Sequence, residues 1–171
     1  MPWPKIVAIV PASGKGTRFG GAKAEARIAD QTFAERIETT LRGAGITQIH
    51  IARDLDTPDM LATLRQVIAG IKPNQAEGYL IWPVDHPLVQ PSTVVALCEA
   101  WSASPDAVFR PVYQGKSGHP VLVPAWVDLG QDDMGQGLAG IIGSQVCTVV
   151  DLPVDDPGIL RNINQPSELE E

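Results

Sequence analysis

The sequence has little cysteine and little histidine. Two cysteines, Cys98 and Cys147, occur among 171 residues without C-x-x-C spacing. This argues against a disulfide scaffold and against a cysteine-based zinc cluster, and it favours a reducing compartment. The three histidines show neither H-x-H nor H-x-x-E-H spacing, so a zinc hydrolase site is disfavoured as well.

Long hydrophobic runs and an excess of positive charge are also missing. The first apolar run spans about five residues, far below the roughly 20 that a membrane-spanning helix needs, and no signal peptide is visible. The formal net charge is −7, which disfavours a general nucleic-acid-binding or acidic-membrane surface. We therefore expect a cytoplasmic protein with no nucleic acid and no membrane as partners.

What the sequence does contain fits an α/β fold. Its hydrophobic content is 44% and its charged content is 19%. With its length, and without repeats or linkers, this predicts one globular domain over residues 1–171. Apolar runs predict strands at 6–10, 48–52, 79–84, 107–110, 121–123 and 146–152. Helical periodicity predicts helices at 32–41, 58–69 and 93–101, with Ser92 as a possible cap and a short helix near 166–168. Alternating strands and helices predict a mostly parallel sheet covered on both faces, with ligands beyond the carboxyl ends of its strands.

The first predicted strand runs into a glycine-rich turn that carries three cations, in the stretch KIVAIVPASGKGTRFGGAK. Glycines let the backbone approach phosphates, and Lys15, Arg18 and Lys23 can neutralise their charge. The spacing does not fit a Walker loop, and Phe19 stands where the dinucleotide fingerprint has its third glycine. The turn therefore predicts a site for a small phosphorylated ligand, against the alternative of a simple tight strand–helix connection.

This turn resembles the signature of the nucleotidyltransferases, x-A-x-G-x-x-x-R-M/F-G-x-x-K. More specifically, it is similar to the MobA/MocA-like NTP transferase family, which attaches CMP or GMP to the molybdenum-cofactor pterin. Three further blocks follow in the order of that family, VDHPLV, YQGKSGHPV and RNINQP. The resemblance implies a three-layer, Rossmann-like nucleotidyltransferase fold.

The resemblance also implies roles for individual residues. The first block would bind the nucleotide, and within it Arg18 and Lys23 would be catalytic, holding the phosphates and stabilising charge on the attacked phosphorus. Asp85 would bind the nucleotide through Mg2+, with Asn164 as a second magnesium ligand and Asn162 as its nearby substitute. Gly118 and His119 would position the acceptor. The nucleotide-binding residues of the first block would be Pro11, Ala12, Ser13, Gly14, Lys15 and Gly16.

The resemblance implies that an acceptor phosphate attacks the α-phosphorus of an NTP. Pyrophosphate would then leave together with Mg2+. The second and third blocks favour CTP over GTP, whereas Ser13 and Asp59 depart from the family pattern. The implied acceptor is molybdopterin, and a molybdoenzyme would receive the product. Two alternatives stay open: a sugar-1-phosphate nucleotidyltransferase, and a non-catalytic nucleotide-binding module of the same fold. A glycosyltransferase would need a second aspartate, which Asp85-His86-Pro87 lacks.

Overall fold

The computed structural model describes residues 3, 5–12, 26–53, 55, 57–131, 137–145 and 147–163. Within these ranges one seven-stranded sheet and four α-helices form, together with a two-stranded ribbon, β2 (Arg27–Ile28) and β3 (Gln31–Thr32). The helices are α1 (Phe33–Gly43), α2 (Met60–Ala69), α3 (Pro91–Ala103) and α4 (Gly137–Ser144). The sheet strands are β1 (Ile6–Pro11), β4 (Gln48–Ala52), β5 (Gly78–Ile81), β6 (Val108–Tyr113), β7 (Lys116–Ser117), β8 (Val121–Pro124) and β9 (Val149–Pro153).

The sheet is mostly parallel, as the sequence predicts. Its order is β4-β1-β5-β8-β6-β7, with β9 also paired to β6. β1 is parallel to β4 and β5, β6 is parallel to β9, and β8 is antiparallel to both β5 and β6. The carboxyl ends of β1, β5 and β6 therefore meet at one edge of the sheet, where the antiparallel β8 begins.

The core has two sides separated by the sheet. Along β1, Ile6, Ala8 and Val10 pack on the side of α1 and α3, whereas Val7 and Ile9 pack on the side of α2 and α4. This alternation is what a strand buried on both faces requires. The result is the three-layer α/β arrangement expected from the sequence.

Helix starts follow capping chemistry. Thr32 and Glu35 form a reciprocal capping box at α1. At α2 the Asp59 carboxylate accepts a hydrogen bond from the Ala62 amide at 2.8 Å, so Asp59, a departure from the family pattern, serves as an N-cap. The prediction of Ser92 as a cap is wrong, because α3 begins at Pro91, two residues before its predicted start, and its N-cap is Gln90.

The short strands β2, β3 and β7 were not predicted, and two further differences bear on the site. α4 has no counterpart among the predicted helices, because its eight residues GLAGIIGS include three glycines and so have low helix propensity. The predicted strand 79–84 ends at Ile81, because Pro83 has no backbone N–H to continue the ladder. The helix predicted near 166–168 lies outside the described residues.

None of the described helices has both the length and the apolar character needed to cross a lipid bilayer.

Candidate functional site

The ends of β1 and β5 lie side by side. Beyond β5 the chain continues along β1, where the Trp82 amide donates to the Ile9 carbonyl at 3.0 Å and the Val84 amide donates to the Pro11 carbonyl at 3.2 Å. Pro11 and Ala12, where β1 gives way to the glycine-rich turn, are buried. The structure therefore brings Asp85 next to the start of that turn.

The other predicted residues of the first block are not described by the structure, and neither is one predicted metal ligand. The residues that lie outside the described ranges are Ser13, Gly14, Lys15, Gly16, Arg18, Lys23 and Asn164.

The turn that carries Asp85 is held from two directions. The buried Trp82 indole donates to the His86 carbonyl at 2.8 Å, and the His86 amide donates to the Pro83 carbonyl at 3.2 Å. From α1, the Arg36 side chain donates to the Pro87 carbonyl at 3.0 Å. These contacts hold the backbone next to Asp85 in place.

The Asp85 carboxylate is bound by its neighbour in sequence. Oδ1 of Asp85 lies 2.8 Å from Nδ1 of His86. Because a carboxylate only accepts hydrogen bonds, Nδ1 of His86 is the donor. The Asp85 side chain is 22% exposed and that of His86 is 9% exposed. The carboxylate is therefore partly accessible to solvent, whereas the histidine that donates to it is buried.

His119 reaches the same edge because β8 runs antiparallel to β5. Its ring lies 4.7 Å from the His86 ring in an edge-to-face arrangement. Burial, followed by the proximity of His86, lowers the pKa of His119 to about 4, with Asp85 acting in the opposite direction. His119 is therefore neutral at pH 7. Its buried Nδ1 has no hydrogen-bond partner within the described ranges.

The segment after β9 closes this edge. The Ile159 carbonyl accepts a hydrogen bond from the His119 amide at 3.1 Å, and the Ile163 amide donates to the Asp85 carbonyl at 2.7 Å. Gly118 packs so tightly here that a Cβ would lie 2.2 Å from the Ile159 carbonyl oxygen. Ile163 belongs to the fourth block of the sequence, so the described part of that block, residues 161–163, returns to the Asp85 turn.

A cavity of about 440 Å³ opens beside His86 and His119. On one rim Arg110 of β6 pairs with Asp151 of β9 at 2.7 Å. Apolar side chains form most of the remaining wall, among them Val121, Leu138, Ile142, Val149 and Ile159. The site therefore has a carboxylate at one end and a largely apolar pocket at the other.

The described part of the site has few side chains that could bind a metal ion. Among the described residues no three His, Cys, Asp or Glu side chains group together as a metal site would require. One carboxylate near the start of the glycine-rich turn is a donor set that Mg2+ can use, because Mg2+ keeps several waters and takes one or two protein ligands.

Two features of the site were not predicted from the sequence: the contact of His86 with Asp85, and α4 as a wall of the pocket. The residue between Asp85 and Pro87 belongs to a motif position that the family pattern leaves open, so no motif pointed to His86. α4 was missed as an element, and its contribution to the pocket was missed with it.

Residues 50–130 match the model of the MobA-like NTP transferase domain. No curated protein gave a significant match to the chain.

Solved structures share the fold over nearly the whole chain. Rv0371c from Mycobacterium tuberculosis is 21% identical with a TM-score of 0.79, and the match covers 99% of this chain and 97% of that one. A second structure of that protein is a complex with manganese, with a TM-score of 0.68, 21% identity and 88% of each chain covered.

Two further structures belong to nucleotidyltransferases. One from Methanothermobacter is 18% identical with a TM-score of 0.75, covering 97% of this chain and 94% of that one. The 2-C-methyl-D-erythritol 4-phosphate cytidylyltransferase from Thermus thermophilus is 12% identical with a TM-score of 0.70, covering 97% and 96%. The chain is thus similar to MobA-like NTP transferases over residues 50–130, and it shares its mixed α/β fold over nearly its full length with solved structures that include nucleotidyltransferases.

Proposed function

We propose that this chain transfers a nucleoside monophosphate from an NTP, with CTP preferred, to the phosphate of a small acceptor, molybdopterin, with release of pyrophosphate. The observation that carries the proposal is the position of Asp85. Its turn is hydrogen-bonded alongside Pro11, where the glycine-rich turn begins, and lies next to the pocket at His119. We further propose that residues 1–171 form one domain that acts in the cytoplasm and passes its product to a molybdoenzyme.

The metal site of this proposal is centred on Asp85, with Asn164 as the second ligand. The fit rests on a carboxylate that is partly exposed and held by a buried histidine. The manganese complex of Rv0371c, which shares the fold, supports a divalent cation here. When bound, Mg2+ offsets the repulsion between two phosphate-bearing substrates and stabilises the leaving pyrophosphate. We favour Mg2+ over other divalent cations because the family signature of the first block predicts an NTP, and Mg2+ is commonly bound together with substrate phosphates.

The glycine-rich turn is assigned to the nucleotide. It leaves the carboxyl end of β1, the place where ligands bind in open α/β sheets. Arg18 would hold the β- and γ-phosphates with Lys15. Lys23 would hold the α-phosphate as negative charge develops on it. The remaining nucleotide contacts are proposed for Pro11, Ala12, Ser13, Gly14 and Gly16.

The acceptor is assigned to the pocket beside Gly118 and His119. His119 lines this pocket and is neutral at pH 7, so its imidazole presents no charge to the acceptor. The mostly apolar walls can pack against the faces of a flat ring system such as a pterin, whose polar groups lie along its edges, whereas the hydroxyls of a polyol project in several directions and would need polar partners on all sides. This favours molybdopterin over a sugar phosphate as the acceptor.

A preference for CTP is supported by the VDHPLV and G-H-P blocks of the sequence. The methylerythritol-phosphate cytidylyltransferase from Thermus thermophilus shows that this fold accommodates CTP chemistry in another protein.

Nucleotide binding tests the proposal at its first step. CTP, GTP, ATP and UTP are added separately to the protein with and without Mg2+, and the melting temperature is measured. A nucleotide at about 100 times its dissociation constant stabilises the fold by roughly 2.7 kcal/mol, which is several degrees for a domain of this size. We expect the largest shift with CTP and Mg2+, and its loss in Asp85→Ala.

The same experiment has a result that contradicts the proposal. If no nucleotide shifts the melting temperature with or without Mg2+, the chain does not bind NTP as the proposed reaction requires. A shift that is equal in Asp85→Ala would remove Asp85 from the metal site while leaving nucleotide binding in place.

A further inference from the structure

We propose that His86 is a positioning residue, which fixes the Asp85 carboxylate in the orientation that a divalent cation requires. The inference rests on the proposed function in one respect, the assignment of the cation to Asp85. It adds a residue that neither the family signature nor the likeness to known structures assigns.

The first observation is the contact itself. Nδ1 of His86 lies 2.8 Å from Oδ1 of Asp85, a normal length for a charge-assisted hydrogen bond. With one oxygen held in this way, the plane of the carboxylate is set before a cation arrives. Groups that hydrogen-bond a ligating carboxylate typically change metal affinity by 10- to 100-fold when they are replaced.

The second observation is that the His86 ring has little freedom. His86 is 7% exposed. Its backbone carbonyl accepts a hydrogen bond from the Trp82 indole, and its backbone amide donates to the Pro83 carbonyl. On one side the ring packs edge-to-face against His119. A donor held by backbone and by packing costs little conformational entropy when it orders the carboxylate.

The third observation is that His86 also lines the acceptor pocket. The proposed cation site and His119 are thus separated by a single imidazole ring. A role in packing alone and a role as hydrogen-bond donor make different demands on residue 86. Packing requires a ring of this size, whereas positioning requires a donor at the place of Nδ1.

Two substitutions separate these demands. His86→Phe keeps a ring in the buried space but has no donor. His86→Asn loses the ring but places an amide N–H close to where Nδ1 stood. His50→Asn, at an exposed histidine of β4, is the matched control. Melting temperatures identify any variant that fails to fold.

The probe is Mn2+ alone, with its free concentration followed by electron paramagnetic resonance. We expect His86→Phe to raise the Mn2+ dissociation constant by about 10- to 100-fold, His86→Asn to recover most of that loss, and His50→Asn to match the wild type. Equal affinity of wild type and His86→Phe would overturn the positioning role. It would leave the proposed function intact, because wild type would still bind the metal.

A second readout does not depend on metal or activity. Nitrogen-15 NMR of the wild-type protein distinguishes a histidine that carries its proton on Nδ1 from one that carries it on Nε2. The structure requires the Nδ1–H tautomer for His86, because the carboxylate can only accept. An Nε2–H tautomer would overturn the inference. Wild type without Mn2+ affinity but with the Nδ1–H tautomer would instead place the failure in the proposed metal site.

Discussion

Replacing Asp85 with asparagine is expected to lower the turnover number by about 10²- to 10³-fold. The amide has the shape of the carboxylate but no charge, so it holds a divalent cation more weakly and offsets less of the charge that gathers on the transferring phosphates. The amide oxygen can still accept the hydrogen bond from His86, so the turn should keep its backbone contacts to Pro11 and Ile163. The measurement is pyrophosphate release at saturating nucleotide across a range of Mg2+ concentrations.

The control for this substitution is Asp106→Asn. Asp106 is an exposed carboxylate that precedes β6, and it therefore lies at the opposite edge of the sheet from Asp85. Its variant should behave like the wild type. If Asp85→Asn kept the wild-type rate and the wild-type response to Mg2+, the assignment of Asp85 to the metal would be contradicted.

The largest expected effect on stability comes from Asp156→Ala, which should reduce the free energy of unfolding by roughly 3 kcal/mol or more. Asp156 is 1% exposed. Its carboxylate accepts hydrogen bonds from the Gln90 amide at 2.9 Å, the Thr93 hydroxyl at 2.7 Å and the Gly158 amide at 2.9 Å. Alanine would leave these donors unsatisfied, at about 1–3 kcal/mol for each buried group.

Loss of the Asp156 hydrogen bonds is expected to affect the candidate site as well as the core. Asp156 provides an acceptor at the start of α3, whose own N-cap residue makes no side-chain hydrogen bond, and it anchors the segment that continues to Ile159 and Ile163. Those two residues bond the backbone of His119 and of Asp85. Asp156→Ala should therefore weaken the proposed nucleotide and metal binding together with stability.

Urea denaturation at pH 7 measures the expected change in stability. Asp155→Ala is the matched control, because Asp155 is the exposed neighbour of Asp156 and an exposed substitution usually changes stability by no more than about 0.5 kcal/mol. Similar unfolding midpoints for the two variants would show that the buried hydrogen bonds of Asp156 contribute little.

Local sequence signals predicted most of the elements around the site. α1 was recognised by its apolar spacing, and its bounds moved by only one or two residues because Thr32 and Glu35 cap it. β4 was predicted with the bounds that the structure has. α4 could not be recognised in the same way. Its glycines lower helix propensity, and its apolar residues, Leu138, Ile141 and Ile142, form a helix by packing against the sheet.

The arrangement of the site was predictable only in part. The rule that parallel strands end at one edge places Asp85 near the glycine-rich turn, and the structure brings them together there. The direction of β8, which brings His119 to that edge, is a long-range pairing with no local signal. The same holds for the close approach of Gly118 to Ile159 and of Gly158 to Leu88, where a Cβ would lie 2.2 Å from a carbonyl oxygen in each case.

The most direct test of the central claim is pyrophosphate release by the wild-type protein with CTP, Mg2+ and molybdopterin, beside reactions that omit each component in turn. We predict the fastest release with CTP, slower release when GTP, ATP or UTP replaces it, and no release when the nucleotide, Mg2+ or molybdopterin is omitted. Release with a sugar 1-phosphate but not with molybdopterin would contradict the proposed acceptor. No release with any nucleotide and either acceptor would contradict nucleotidyl transfer between these substrates.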